Sequence, residues 1–363
     1  MGTTKRCLVL TRVSALVLVI GSLSSCESAA PADPCRLRVG FVMYEGGRID
    51  DGGFNGSAWN GVLAATAALG LPSECAELVG GDSADEAVWG GYIDDLVADG
   101  VDIIVTSGFT MTEGTRAAGR RHPGVRFIGT DQFQEDTIAN VAGIVFHEDV
   151  GGFLAGALAG LVTETDVVGV VLGCRAVPPV SRFGIGFWNG ARHVNPDVAV
   201  LAMFHEDDFA TCFNDAAWGA MVAADMVTAG GADVIFGAGG STGNGAIVEA
   251  CMQGATVIGV DFDQYQTLPE VRPCIVSSST KSIVSAVADL ILSVDQGRFP
   301  SGNYFGGSTL APFHDRASLV SSEDAAMLED IQLQLEAGTL DPCMAVPELP
   351  EASAISACTP IGD

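Results

Sequence analysis

The sequence predicts an α/β fold built as two doubly wound parallel-sheet lobes with a cleft between them. Two observations carry this. Short β-branched runs alternate with longer amphipathic ones from Leu37 onward, the signature of parallel strands covered by helices. The chain has 363 residues and more such units than one sheet comfortably holds, and one hydrophobic core rarely serves that length. A hydrophobic content of 48% and a mean hydropathy of +0.35 also exclude a disordered acidic chain, despite a net charge of −28.

The elements follow in order. Candidate strands lie at 37–44, 101–107, 125–130, 141–146, 167–172, 198–204, 233–237, 256–260 and 274–277, each rich in Val, Ile or Phe. Between most of them runs a helical stretch. In the first, Trp59, Val62, Leu63, Thr66 and Leu69 fall on one predicted face. The predicted division is a leader at 1–25, a tether at 26–36, and an N-lobe of 37–143 plus 275–303. A C-lobe of 144–274 plus 304–340 and a tail at 341–363 complete it.

The start of the chain reads as an export signal. Lys5, Arg6 and Arg12 precede the apolar run Ala15–Ile20, which is too short to span a bilayer. Leu23-Ser24-Ser25-Cys26 then resembles the lipobox of bacterial lipoproteins, with Cys26 as the lipidated residue, against an ordinary cleaved signal with a chance cysteine. The expected location is therefore the cell membrane, held by lipid and facing the periplasm or the outside. Cys35, Cys75, Cys174, Cys212, Cys251, Cys274, Cys343 and Cys358 remain, an even number that suits disulfides in an exported protein. Spacing points to 35–75, 174–212, 251–274 and 343–358, although many other pairings are open. No pair is C-x-x-C, so zinc and redox motifs find no support.

Ligands of doubly wound sheets sit at the carboxyl ends of strands, so the residues just after each strand come first. After the first strand runs Glu45-Gly46-Gly47-Arg48-Ile49-Asp50-Asp51-Gly52-Gly53-Phe54-Asn55. Phe54 at that helix start either stacks on a ligand or packs as a staple. Ser107-Gly108-Phe109, Asp131-Gln132-Phe133, Ala238 to Gly245 and Asp261-Phe262-Asp263-Gln264 follow later strands. Recurring carboxylates and aromatics are equipment for a polyhydroxylated ligand with a flat ring: carboxylates accept from hydroxyls, and ring faces stack. Seventeen cationic residues include only two lysines, Lys5 and Lys281. Lys281 stands near a helix start, where a cation opposes the dipole, so it calls for a specific partner such as a ligand hydroxyl or Asp261. The alternative is a surface lysine.

Together these segments resemble the basic membrane protein family of bacterial lipoproteins, from about residue 38 to about residue 310. The family opens with D-x-G-G-x-x-D-x-S-F-N, resembled by Glu45 to Asn55 with Glu45 for the first Asp, Arg48 for the second Gly and Gly53 for the Ser. Its D-x-D-Q resembles Asp261 to Gln264, its S-x-x-K resembles Ser278 to Lys281, and its A-D-x-I-F run resembles Ala232 to Phe236, continuing to Gly245. The resemblance implies a two-lobe periplasmic-binding-protein fold of type I, hinged around one ligand. It implies a nucleoside-binding component of an ABC importer, with permease and ATPase subunits as partners and no cofactor. The implied ligand set is Glu45, Asp51, Phe54, Asn55, Ser107, Asp131, Phe236, Gly240, Asp261 and Lys281. Phe54 and Phe236 would sandwich the base, Asp261 and Lys281 would bind the ribose, and Asp131 would read the base edge.

Other functions compete unequally. A strongly negative surface repels phosphate backbones, which excludes nucleic acid as a main partner. Neither G-x-G-x-x-G nor G-x-x-x-x-G-K-[ST] occurs, and the five histidines are dispersed, so nucleotide cofactors and metals have no motif here. Gly239-Gly240-Ser241-Thr242-Gly243 does satisfy G-x-S-x-G, with Asp261 or Asp263 and then His314 following. A serine hydrolase using Ser241 is thus the alternative of another class. A sugar-binding or sensory receptor of the same fold is the nearer alternative.

Overall fold

Strands and helices alternate along most of the chain of this computed structural model. It describes residues 33–43, 49, 53–81, 85–206 and 209–344. The first sheet draws on β1 (Val39–Met43), β2 (Ala76–Gly80), β3 (Ile103–Ser107), β4 (Arg126–Thr130) and β5 (Val141–Phe146). Between these lie α1 (Phe54–Ala68), α2 (Glu86–Ala98) and α3 (Thr112–Arg121). The chain then crosses to α4 (Glu148–Val162), β6 (Val167–Cys174), α5 (Pro178–Val194), β7 (Ala199–His205), α6 (Phe209–Cys212) and α7 (Ala216–Thr228). It continues through β8 (Val234–Ala238), α8 (Gly240–Met252), β9 (Thr256–Asp261), α9 (Gln264–Thr267) and β10 (Ile275–Lys281). Last come α10 (Ile283–Asp295), β11 (Gly302–Gly306), β12 (Ser308–Leu310) and α11 (Ser322–Glu336).

The two sheets have matching strand orders, β11-β5-β4-β3-β1-β2 and β12-β10-β9-β8-β6-β7. Every pairing is parallel except β10 with β12. Two doubly wound α/β lobes of the periplasmic-binding-protein fold result, as the sequence predicts. Sheet membership moves the division of the chain, however. β10 belongs to the second sheet, so 275–281 leaves the N-lobe, and all of β11 joins the first sheet, so 304–306 leaves the C-lobe. The chain therefore passes between sheets at His147, at Ser282 and at Gly307.

Burial explains most elements. β1, β3 and β5 are buried throughout, as parallel strands covered on both faces must be. In α1 the inward face is Ala58, Val62, Ala65 and Thr66, while Leu63 turns outward, so the predicted helix holds and its predicted face rotates. Three predicted disulfides form: Cys35–Cys75, Cys174–Cys212 and Cys251–Cys274, with Cα separations of 5.3, 5.3 and 5.4 Å. Cys358 of the fourth predicted pair lies outside the described residues, as do Cys26 and the leader.

The tightest helix contact is α4 against α5. Their backbones meet through small residues: a side chain at Gly156 would overlap the Phe187 carbonyl, and one at Gly190 the Phe153 carbonyl. This crossing sets the first turn of α4 beside the first turns of α5. Gly190→Ala is expected to cost about 2–3 kcal/mol by overpacking, read as a lower urea midpoint. An unchanged midpoint would show that the helices separate at no cost.

Candidate functional site

Lys281 is the last residue of β10, and its side chain is 3% exposed. Its ammonium donates to Asp131 Oδ2 at 2.8 Å and lies 3.1 Å from Glu148 Oε1 and 3.6 Å from Asp261 Oδ1. Three rings surround it: Phe146, Phe183 and Phe54, with centroids at 5.3, 5.5 and 5.7 Å, within cation–π reach. Asp131 and Phe54 come from the first lobe, Asp261, Glu148 and Phe183 from the second. The one lysine among the described residues thus bridges both lobes, and the surface-lysine reading falls.

Local structure explains how the carboxylates reach it. Asp131 and Asp261 have φ of 56° and 67°, the left-handed region that Asp tolerates better than bulkier residues. Each turn is held by a glutamine folded back on its own strand. Gln132 Nε2 donates to Thr106 Oγ1 at 3.1 Å and to the Gly108 carbonyl at 3.0 Å. Gln264 Oε1 accepts from the Val260 N–H at 2.9 Å, and its Nε2 donates to Asn244 Oδ1 at 2.6 Å. Glycine is needed beneath both: a side chain at Gly129 or Gly259 would overlap these glutamine side chains. Glu148 opens α4, fully buried, and accepts from Arg182 Nη1 of α5 at 3.2 Å.

The electrostatics follow from burial. Desolvation raises the Asp131 carboxyl to about 7; Lys281 opposes this, while Glu148 and Asp261 add to it. Asp261 is raised for the same leading reason, burial, with Lys281 opposing and Glu148 assisting. Burial works against the Lys281 ammonium, yet Asp131, Glu148 and Asp261 together outweigh it, so its net shift is upward. Several polar atoms here are buried without a hydrogen bond: Asn55 Oδ1, Ser107 Oγ, Asp131 Oδ1 and Asp261 Oδ1. Buried groups left unmatched are costly, which makes these strand-end atoms candidates for ligand contacts.

The expected set divides accordingly. Phe54, Asp131, Asp261 and Lys281 meet in one cluster. Asn55 and Ser107 stand at the carboxyl edge of the first sheet, buried. Gly240 is exposed in the first turn of α8 with φ of 57°. Phe236 needs correction. It is fully buried in β8, stacked on Phe187 at 5.4 Å and edge-on to Phe183 at 5.9 Å, so it supports the cleft from within the core. Glu45 and Asp51 lie outside the described residues. Glu148, Arg182, Phe146 and Phe183 were missed, although Glu148 follows β5 as the other carboxylates follow their strands.

Comparison with known proteins places this geometry. A family model described as Bmp, ABC transporter substrate-binding protein PnrA-like, matches residues 38–306. The chain belongs to the Bmp family. Among curated Bmp relatives, a CD4+ T-cell-stimulating antigen of Listeria monocytogenes is 29% identical over 315 residues, covering 81% of this chain and 85% of the relative. The ABC transporter nucleoside-binding protein BmpA of Lactococcus lactis is 30% identical over 217 residues, covering 56% of this chain and 60% of the relative. An ABC transporter solute-binding protein from Aeropyrum pernix superposes with a TM-score of 0.71 at 23% identity, covering 89% of this chain and 99% of that one, which shows the fold.

As a Bmp-family substrate-binding protein the chain takes a small molecule and serves permease and ATPase partners. Membership sets aside the hydrolase alternative. The His314–Asp263 pair of that alternative does form, at 2.8 Å and with His314 stacked on Tyr265, while Ser241 is an exposed residue of the first turn of α8.

Lys281→Met would leave three buried carboxylates around no ammonium. Loss of one partner from a buried ionic cluster costs about 3–5 kcal/mol. Raised carboxyls bind protons in the folded state that the unfolded chain has released, so stability falls as pH rises through that window. The variant is therefore expected to be weakest near pH 8 and to recover toward about pH 5, measured by chemical denaturation. A deficit that does not change with pH would show that the lysine's role is packing alone.

Proposed function

We propose that the chain is a lipid-anchored, outward-facing receptor that binds a nucleoside between its lobes. The observation that carries this is the Lys281 cluster: one ammonium and two strand-end carboxylates, drawn from both lobes, with acceptor atoms still unmatched. Vicinal ribose hydroxyls suit it, donating to Asp261 and to Asp131, which moves here from the base edge to the ribose, and accepting from Lys281. Phe54 and Phe183 supply ring faces from opposite lobes, with Phe183 taking the place first assigned to Phe236. The name of the Lactococcus relative, which states nucleoside binding, supports the same ligand class. Contacts to both lobes favour the closed form by the ligand's differential affinity for it.

Isothermal titration against adenosine, guanosine, inosine, ribose and free bases tests this. Tight binding of at least one nucleoside is expected, and Asp261→Asn should lose about 2–3 kcal/mol of it. Heat with ribose or another sugar but with no nucleoside would move the reading to a sugar receptor. For the anchor, Cys26→Ala in cells is expected to release the protein from the membrane fraction; full retention would remove the lipid from the proposal.

A further inference from the structure

Five charged side chains share the buried base of the cleft: Lys281 and Arg182 against Asp131, Glu148 and Asp261. Among the described residues, these three carboxylates against two cations leave one negative charge over, and Asp149, whose carboxyl burial also raises, stands beside Glu148. Glu148 has both cations on it, Lys281 at 3.1 Å and Arg182 at 3.2 Å. Asp131 and Asp261 come from opposite lobes, share the ammonium, and each keeps Oδ1 buried without a hydrogen bond.

We propose that Asp131 and Asp261 hold one proton between them while the cleft is empty, and that a ligand with two adjacent hydroxyls replaces it. This rests on the nucleoside reading and deepens it. The ligand's O–H bonds stay intact and donate one to each carboxylate, while the shared proton leaves the carboxyl for solvent. Two hydroxyl donors stabilise two carboxylates at once, which a single retained proton does not. Burial that raises Asp131 to about 7 puts the exchange in the neutral range. Because the two sites interact, the proton belongs to the pair.

Among the described residues, these charges face the pair. Lys281 ends β10, Glu148 opens α4, and Arg182 of α5 stands behind Glu148. His147 and Asp149, on either side of Glu148, lie 3.9 Å from each other. Glu135 and Asp136, farther along the loop after β4, are exposed, and Asp136 pairs with Arg116. Phe54, Phe146 and Phe183 bring no charge.

Titration with nucleosides in buffers of low and high ionisation enthalpy, between about pH 5.5 and about pH 8.5, counts the protons. About one proton should be released per ligand at the acid end. Affinity should rise about tenfold per pH unit below about 7 and level off above. Asp131→Asn and Glu148→Gln each remove one negative charge; Asp131→Asn also loses a hydroxyl acceptor and should bind more weakly, but each should bind with heat independent of buffer, once thermal unfolding has shown it folded. Should Glu148→Gln fail to fold, Asp131→Asn alone decides. Nucleoside binding to the natural chain with buffer-independent heat and flat affinity overturns the exchange while sparing the nucleoside reading. Proton release that persists in Asp131→Asn overturns it too. No heat with any nucleoside at any pH overturns both.

Discussion

An ammonium buried among carboxylates from two lobes is the constraint around which this molecule is arranged. Desolvating Lys281 is affordable only with anions at close range, and the fold supplies Asp131, Glu148 and Asp261 within 3.6 Å. Glu148 in turn needs Arg182, and Arg182 reaches it because α4 and α5 cross backbone against backbone at their glycines. A feature that looks like packing, Gly156 against Phe187 and Gly190 against Phe153, therefore fixes the charge geometry of the cleft. The glycines and the lysine form one argument.

The two lobes solve the same problem twice. In matching strand orders, β4 of the first sheet corresponds to β9 of the second, and β5 to β10. Both β4 and β9 run into an aspartate in the left-handed region, steadied by a glutamine that folds over a strand glycine. Their neighbours break the symmetry. β5 ends in Phe146 and is followed by Glu148, whereas β10 ends in Lys281. Paired aspartates with one lysine thus set carboxylates of both lobes on a single cation.

Sequence legibility followed burial. Strands buried on both faces, such as Val141–Phe146, read clearly because every position is apolar. β2, with the sequence AELVG, is an edge strand with an exposed Glu77, and β12 is three residues long, so neither has a run to recognise. At the site, Lys281 was legible because lysine is otherwise nearly absent, and Asp131 and Asp261 because strand ends bind ligands. Phe236 misled because residue type does not say which way a central strand points its side chains; β8 turns this one into the core. Arg182 and Phe183 were hidden in α5, where an arginine and a phenylalanine in helical register look like surface and core. Only the crossing of α4 and α5 makes them neighbours of the cleft.

Where the chain crosses between sheets gives the cluster its mechanical meaning. The first crossing, at His147, is flanked by Phe146 and Glu148; the second, at Ser282, follows Lys281 directly. The third, at Gly307, is tied to the second, since the Ser282 N–H donates to the Gly307 carbonyl at 3.0 Å and the Gly307 N–H to Ser282 Oγ at 2.7 Å. Lys281 itself pairs with Ser308 across β10 and β12. Each connection between the lobes thus lies within a residue or two of a group that touches the ammonium or pairs with its backbone. A molecule that changes the partners of Lys281 acts on the hinge without an intervening relay. Occupancy and closure are then two descriptions of one rearrangement.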